Sequence, residues 1–459
     1  MKRKLAVITA LVIVCILALS SCASHGTSFA SEGNSFRVGY GECEIGLPTD
    51  TDEPLYIAGY QNGCEIQGVL DLPKAKAVWI DTGGDGVLLI GIDCVGLGGG
   101  TVEDIRQALS DFCRDVGCVS VNVYATHTHA GIDTLGLWGQ VAIDGKNADY
   151  MQNLITAAVS AAKSAYDDRS SGKLYFGSAE PQNLLRDSRE PIEYDPALDQ
   201  IRFVSDDAHQ NGIRLLSYAA HAESLRGDNR LLSADFPGVL AEKIKSASGD
   251  DVMYMPSAIG GLIMTRELVE PFDAVENRNQ TAQRLADAVL SVREEHELEA
   301  NLAISSKKLD IPLDNTYFFF GKFLGILDHQ VKRGQSETGY ILESEIGALK
   351  LGSVTIALIP GEIFPELVSG KGLQAEDPES LESIAARCEA GKLLVLGLCN
   401  DELGYIVPPS AFKLNDELPY IEPVDDGSGE NHYEETNSVG FHTAEIIAEA
   451  FEELLRSMN

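Results

Sequence analysis

The fold of this chain is indicated most clearly by residues 119–129, which read VSVNVYATHTH. The first seven of these residues alternate apolar with small or polar side chains and include several β-branched residues, a pattern that predicts a strand ending near Ala125. Side chains at positions i and i+2 of an extended segment point to the same side, so His127 and His129 are expected to face one cavity. In α/β proteins such strand ends are where binding and catalytic residues collect.

Working outward from this strand, the rest of the sequence alternates strand-like and helix-like segments. This mixture predicts an α/β fold with mixed β-sheets covered by helices, but not a strict βαβ repeat. The length would allow two domains, yet the motifs draw on the whole of residues 36–459, which favours one large domain. Strands are expected at 75–81, 87–93, 119–125, 213–220, 354–359 and 393–398, and helices at 101–116, 148–166, 236–247, 280–296 and 438–458.

One aromatic segment allows two interpretations. Tyr317 is followed by three phenylalanines, and Phe323, Leu324, Ile326 and Leu327 continue the apolar run. Such a segment could line a substrate groove or touch a membrane, but plain core packing is the favoured expectation.

Three further candidate ligands follow predicted strands, as His127 and His129 do. His221 comes directly after 213–220, Glu362 shortly after 354–359, and Tyr405 shortly after 393–398. Two imidazoles and a carboxylate suit a zinc ion with an open position for water, although iron or manganese can accept the same set. Taken singly, an HxH pair occurs by chance, Glu362 fits a turn carboxylate, and Tyr405 fits a core aromatic. No CxxC pair is present, so a cysteine zinc cluster is not expected.

The N-terminus predicts export. Lys2, Arg3 and Lys4 precede an apolar stretch over 5–19, which is too short to span a bilayer and fits a secretory signal over 1–21. The following LSSC ends in Cys22 and is typical of a bacterial lipoprotein, with lipid attached to Cys22 on the extracytoplasmic face of the cell membrane. An ordinary signal peptide with an incidental cysteine is the alternative. Residues 22–35 are rich in Ser, Gly and Ala and predict a flexible tether.

The charge balance excludes one class of partner. The chain carries 35 Lys and Arg against 70 Asp and Glu, a formal net charge of −35. So acidic a surface repels phosphate backbones, and nucleic acid is therefore not an expected partner. Attachment to anionic lipid by charge alone is not expected either, and the oligomeric state stays open.

Together these motifs resemble the catalytic domain of the neutral/alkaline, non-lysosomal ceramidase family. The resemblance covers nearly the whole mature chain in the expected order, without the C-terminal β-sandwich that typical members add. The matching stretches are VGYG at 38–41, IAGY at 57–60, IGID at 90–93, ATHTHAG at 125–131, AH at 220–221, SADFPG at 233–238, IPGE at 359–362, LCNDELGY at 398–405 and HYE at 432–434.

The resemblance implies an activity and a set of site residues. It implies hydrolysis of an N-acyl (amide) bond, in ceramide or a related small-molecule or lipid substrate, by zinc-activated water. The metal ligands would be His127, His221, Glu362 and Tyr405. His129 would act as the catalytic acid or base, and Arg186 and Tyr433 would steady the developing oxyanion.

One position departs from the family pattern. The family has a serine near the zinc in a Gly-x-x-Ser-Pro stretch, and Ile263 stands at that place, followed by Met264. Two alternatives therefore remain beside the amidohydrolase. The chain could be a binding lipoprotein without activity, or it could be a metal-dependent esterase or phosphoesterase.

Overall fold

The computed structural model describes residues 26–49, 53–425 and 431–458. The signal peptide and Cys22 lie outside the described residues. The strands are β1 Ser28–Glu32, β2 Phe36–Glu44, β3 Gly68–Val69, β4 Lys74–Asp81, β5 Gly86–Ile92, β6 Cys118–Ala125, β7 Ser170–Ala179, β8 Leu185–Arg186, β9 Leu198–Ser205, β10 Ile213–Tyr218, β11 Leu231–Leu232, β12 Asp251–Pro256, β13 Met264–Thr265, β14 His296–Leu298, β15 Asn301–Pro312, β16 Gln330–Arg333, β17 Tyr340–Leu351, β18 Val354–Leu358, β19 Glu362–Ile363, β20 Lys392–Leu396, β21 Tyr405–Ile406, β22 Val424–Asp425 and β23 Asn431–His432.

Eight α-helices accompany these strands within the described residues. They are α1 Gly99–Val116, α2 Ala148–Asp168, α3 Asp235–Ser248, α4 Ala274–Ser291, α5 Thr316–Phe323, α6 Pro365–Ser369, α7 Leu381–Arg387 and α8 Thr443–Ser457. None of the helices in the described part of the chain is long and apolar enough to cross a membrane.

Two mixed sheets form the centre of the molecule. A nine-stranded sheet has the order β12-β10-β9-β7-β2-β4-β5-β6, with β14 paired to β7. A six-stranded sheet has the order β1-β15-β17-β18-β20, with β16 paired to β17. Most neighbouring strands are antiparallel, but β5 and β6, β10 and β12, and β18 and β20 run parallel. The predicted α/β class with mixed sheets is confirmed.

The sheets pack face to face because their strands are apolar on both sides. In β5, Val87 and Leu89 belong to the core between the sheets, whereas Leu88 and Ile90 face the core beneath α1 and α2. On the other sheet, Leu349 of β17 faces the shared core, and Ala348 faces α8. This alternation follows from the two-residue period of a strand. The result is four layers, with helices on the outer face of each sheet.

Two expectations about local structure are corrected. The predicted tether over 22–35 includes β1, an edge strand that pairs antiparallel with β15 and packs Phe29 against the core between the sheets. The Ser- and Ala-rich composition concealed this alternation. The helix expected over 280–296 is α4, which begins at Ala274 because Asp273 caps it by accepting a hydrogen bond from the Glu276 N–H. His296, expected in that helix, instead begins β14.

The aromatic segment that begins at Tyr317 is more exposed than the favoured expectation of core packing. Phe318 is buried, but Tyr317, Phe320, Phe323 and Leu324 are each more than half exposed, at 56, 59, 54 and 64%. Core packing was therefore the wrong interpretation for these four residues, whereas Ile326 and Leu327 are buried as Phe318 is. The run of apolar residues in the segment forms α5, and only one face of so short a helix can contact the core.

Candidate metal centre

The parallel strand pairs bring the candidate residues to one edge of the two sheets. His127 and His129 follow β6, and His221 follows β10. Thr128 then bridges Ala222 in parallel, and the His129 N–H donates to the Ala222 carbonyl at 3.0 Å. These backbone contacts place the two histidine segments side by side.

The other sheet supplies the carboxylate and the phenol. Glu362 opens β19, just after β18, and Tyr405 opens β21, after β20. β19 and β21 pair in parallel, with Glu362 directly opposite Tyr405. Strand ends from distant parts of the sequence therefore converge at this edge.

The convergence is close at the level of atoms. His127 Nε2 lies 3.2 Å from His129 Nε2 and 3.4 Å from Glu362 Oε2. His221 Nε2 lies 2.9 Å from the same Glu362 oxygen. The side chains of His127, His221 and Glu362 are buried, and His129 is partly exposed to a cavity.

The backbone fixes which nitrogen of each imidazole faces the centre. His127 Nδ1 donates to the Val95 carbonyl at 2.5 Å, and His221 Nδ1 donates to the Ile263 carbonyl at 2.8 Å. A carbonyl oxygen can only accept, so Nδ1 carries the proton and Nε2 keeps its lone pair when the ring is neutral. Outer hydrogen bonds of this kind are typical of histidines that bind metals.

This donor set fits a metal ion. His127, His129 and His221 each present a nitrogen, all within 4.8 Å of one another, and the Glu362 carboxylate joins them. Three imidazoles and one carboxylate are the ligands that zinc and related divalent ions accept. His127 also holds an uncommon left-handed backbone conformation, with φ of 63°, which directs its ring toward this centre at a local energetic cost.

Burial and charge set the protonation of the cluster. Burial lowers the pKa of the His129 imidazole well below its ordinary value, and the charges that His127 and His221 can carry lower it further. Burial alone would raise the pKa of the Glu362 carboxyl, but the two histidines hold it below its ordinary range. Burial also opposes the charged form of His221, yet its hydrogen bond to Glu362 raises its pKa to about 9. The His129 ring is thus neutral near pH 7.

The cluster opens into a cavity of about 320 Å³. Tyr405 and Tyr433 line it, and their hydroxyl groups are 3.0 Å apart. Burial raises the pKa of both phenols, so both keep their protons. The remaining wall is largely apolar and aromatic: Val95, Leu135, Leu137, Trp138, Tyr317, Phe318 and Leu327.

Arg186 and Ile263 do not line the cavity, unlike most of the positions discussed above. Arg186 lies in β8, opposite Met264 of β13, and its guanidinium is 2.8 Å from the Met264 sulfur. Met264 in turn bridges His221, but Arg186 is not among the described residues that line the cavity. Ile263 contributes its carbonyl to His221, while its side chain is fully buried in the core beneath α3 and α4.

Three polar residues of the site were not predicted as site residues from the sequence: Tyr60, Glu223 and Glu402. Glu223 Oε2 accepts a hydrogen bond from the Tyr60 hydroxyl at 2.5 Å and lies 3.7 Å from His129 Nδ1. Glu402 lines the cavity with one carboxyl oxygen that has no partner among the described residues. Glu223 stands two residues after His221, and this place just beyond a predicted strand is the sequence signal that could have found it.

A glycine allows the close approach of His129. Gly59 has a φ of +107°, and a Cβ atom added there would lie 2.6 Å from His129 Cγ and Nδ1. A larger residue at this position would displace the imidazole. The IAGY segment over 57–60 therefore forms part of the site, with Gly59 behind the ring and Tyr60 bonded to Glu223.

Comparison with known proteins supports the fold. No family model matches the sequence, and no curated protein sequence matches it either. Among solved structures, the chain is similar to neutral ceramidase from Pseudomonas aeruginosa, with a TM-score of 0.71 and 15% identity over 92% of this chain and 74% of that one. It is also similar to a ceramidase complexed with C2, with a TM-score of 0.68 and 15% identity over 92% and 76% of the two chains. The fold is therefore that of the neutral ceramidases, as the sequence resemblance implied.

Proposed function

We propose that this chain is a zinc-dependent hydrolase that cleaves the N-acyl amide bond of ceramide or a related lipid. The observation that carries the proposal is the meeting of three imidazoles and one carboxylate beside a cavity whose remaining wall is largely apolar and aromatic. A polar reactive end beside an apolar wall suits a substrate that joins an amide to a hydrocarbon chain. The ceramidase fold supports the same reading.

Four residues would hold the metal: His127, His221, Glu362 and Tyr405. The first three already present their donor atoms to one another, and Tyr405 stands opposite Glu362 in the same cavity. When bound, zinc would supply a Lewis acid that polarises a carbonyl group and lowers the pKa of water.

The remaining polar groups would move protons and orient the substrate. His129 is neutral near pH 7, so its Nε2 can take a proton from water and pass it to the leaving amine. The Tyr433 hydroxyl keeps its proton and can donate a hydrogen bond to a carbonyl oxygen as negative charge develops there. Arg186 would reach the substrate only if its guanidinium left Met264.

The isoleucine at position 263 is compatible with this proposal. Its side chain packs into the core, and the site uses only its carbonyl group. A hydroxyl at this position is therefore not needed by any step assigned to the residues above.

The proposal is tested by metal analysis of the purified protein together with a panel of N-acyl lipids, N-acyl amino acids, carboxylic esters and phosphoesters. We expect about one zinc per chain and turnover of N-acyl substrates. Turnover confined to esters or phosphoesters would show that the chain is an esterase or phosphoesterase and not an amidase. Full zinc occupancy without turnover of any substrate in the panel would show that the chain is a binding protein without activity.

We also propose that the chain is exported and anchored by lipid on Cys22. The support is the sequence of residues 1–22 alone, which lies outside the described residues. Cys22→Ala should block processing or release the protein from membranes, as measured by fractionation and mass spectrometry of the N-terminus. Unchanged cleavage with unchanged membrane attachment would contradict the anchor.

A further inference from the structure

Exposed apolar side chains are concentrated in two segments that also contribute residues to the cavity wall. Fourteen large hydrophobic residues are exposed in the described part of the chain, and six of them fall in two short segments, 141–143 and 317–324. Val141 is 88% exposed and Ile143 is 58% exposed, and the other four lie in α5 and just after it. Clustered exposed apolar side chains mark interaction surfaces, whereas singly scattered ones are normal.

The two segments adjoin each other and the cavity. The Lys146 ammonium donates to the Ile326 carbonyl, which ties the loop after Val141 to the end of α5. Trp138 and Leu137 line the cavity just before Val141, and Tyr317 and Phe318 line it from α5. We name these two segments, 137–143 and 317–324, the rim.

The rim is free of acidic residues in a strongly acidic chain. Residues 134–143 carry no charged side chain, and residues 316–327 carry only Lys322. The whole chain has 70 Asp and Glu in 459 residues, so two such stretches at one place set this surface apart. Absence of carboxylates removes the largest desolvation cost of entering a lipid surface.

The first described residues lie on the six-stranded sheet and point toward the end of β15 that leads into α5. β1 runs antiparallel to β15, with Ser28 opposite Ser305, and the Ser306 N–H donates to the Thr27 carbonyl. From Ser28 back to Gly26 the chain therefore runs along β15 in the direction of Pro312, and α5 begins four residues after Pro312. Cys22 precedes Gly26 by four residues, a span of at most about 14 Å.

We propose that the rim docks on the surface of a zwitterionic lipid bilayer, with the cavity mouth facing the lipid. The exposed aromatic and aliphatic side chains enter the interface, and the acidic remainder of the protein stays in water. The docking proposal does not depend on hydrolytic activity. The further step, in which a lipid passes directly from the bilayer into the cavity, rests on the proposed function.

Binding is tested with residues 23–459, which keep every described residue and lack the anchor. The probe is phosphatidylcholine vesicles in a flotation assay, with a second set whose acyl chains are brominated. The chain has two tryptophans, of which Trp79 is fully buried and Trp138 lies in the rim. We expect flotation and quenching of Trp138 by the brominated chains. Added phosphatidylglycerol should weaken binding, because the protein is strongly anionic.

The rim is tested with Val141→Ser, Phe320→Ser and Leu324→Ser combined. None of these side chains lines the cavity, and all are exposed, so folding should be retained. We expect the partition coefficient to fall at least about tenfold, since three apolar side chains leave the interface. The matched control, Ile192→Ser with Phe272→Ser, removes two exposed apolar residues outside the rim and should bind as the wild type does.

Several outcomes would overturn the proposal. Failure of the wild type to float, or equal binding by the rim variant, would do so. Loss of a dimer in the rim variant, without vesicle binding by the wild type, would show that a second copy covers the rim. Hydrolysis is scored separately on a soluble short-chain N-acyl substrate, which the rim variant should turn over normally. If no substrate is turned over, the flotation and quenching results still decide the docking.

Discussion

The floor and the rim of the cavity differ in almost every physical property. The floor is formed by His127, His129, His221 and Glu362, and backbone carbonyls accept hydrogen bonds from the Nδ1 atoms of His127 and His221. The rim gathers exposed apolar side chains and no carboxylate. Catalysis and substrate entry are therefore assigned to separate parts of the site. Substitutions on the floor should change turnover or metal binding, whereas substitutions of rim residues that do not line the cavity, such as Val141, Phe320 and Leu324, should change only the binding to lipid.

The largest effect is expected from His127→Ala. His127 stands between His129 and Glu362, so its loss removes a donor from the middle of the cluster. We expect loss of both metal and turnover, measured by elemental analysis and by assay on a soluble N-acyl substrate. His296→Ala is the matched control, because His296 is exposed on β14. Retention of stoichiometric metal by His127→Ala would refute the assignment of this residue.

His129→Ala should separate catalysis from metal binding. Its ring is neutral and borders the cavity, and we assign it to proton transfer rather than to the ligand set. We expect metal content to be kept and turnover to fall by about 10²–10⁴, the usual contribution of a positioned acid or base. If metal is lost together with activity, His129 is a ligand, and the three-imidazole arrangement would be the true coordination set.

The next effect concerns His329, which lies between the floor and the rim. Its Nε2 is 2.9 Å from the Glu402 carbonyl and 3.2 Å from an Asp401 carboxyl oxygen, and its ring neighbours Phe318. Burial opposes its charged form, but Asp401 raises its pKa to about 9. Because the folded pKa lies above the unfolded one, this stabilisation is complete below about pH 6.5 and is lost as pH rises through about 9.

His329→Gln should therefore cost up to about 3 kcal/mol of unfolding free energy at pH 6 and much less at pH 10. The measurement is denaturant unfolding of the metal-loaded wild type and variant across this range, so that His221 is held by the metal in both. A difference that does not shrink as pH rises would contradict the Asp401 pair. Vesicle binding by this variant should be unchanged.

The sequence predicted the floor better than the rim for a physical reason. Strand ends can be recognised locally, so His127, His129 and His221 could be placed at one edge before the fold was known. The two-residue period was the wrong reason for pairing His127 with His129, because β6 ends at Ala125 and His127 is left-handed, with φ of 63°. Whether an apolar run is covered depends on what packs against it, so the exposure of Phe320 was not predictable from its neighbours. The β1 strand was missed for the same reason, since its partner β15 lies more than 250 residues away.

The smallest effect is expected from Glu223→Gln, and it asks whether the floor extends beyond the metal ligands. Glu223 accepts from Tyr60 and lies 3.7 Å from His129 Nδ1, which has no hydrogen-bond partner among the described residues. A carboxylate at this distance stabilises the positive charge that the imidazole gains when it takes up a proton, and a neutral amide does so less. We expect turnover to fall about tenfold at unchanged metal content and unchanged KM. Glu223→Asp should restore part of the loss, and Tyr60→Phe, which frees Glu223 from its donor, should give an intermediate value. If Glu223→Gln instead raises KM alone, Glu223 contacts the substrate, and the floor of the cavity reaches further toward the rim than the distances to His129 indicate.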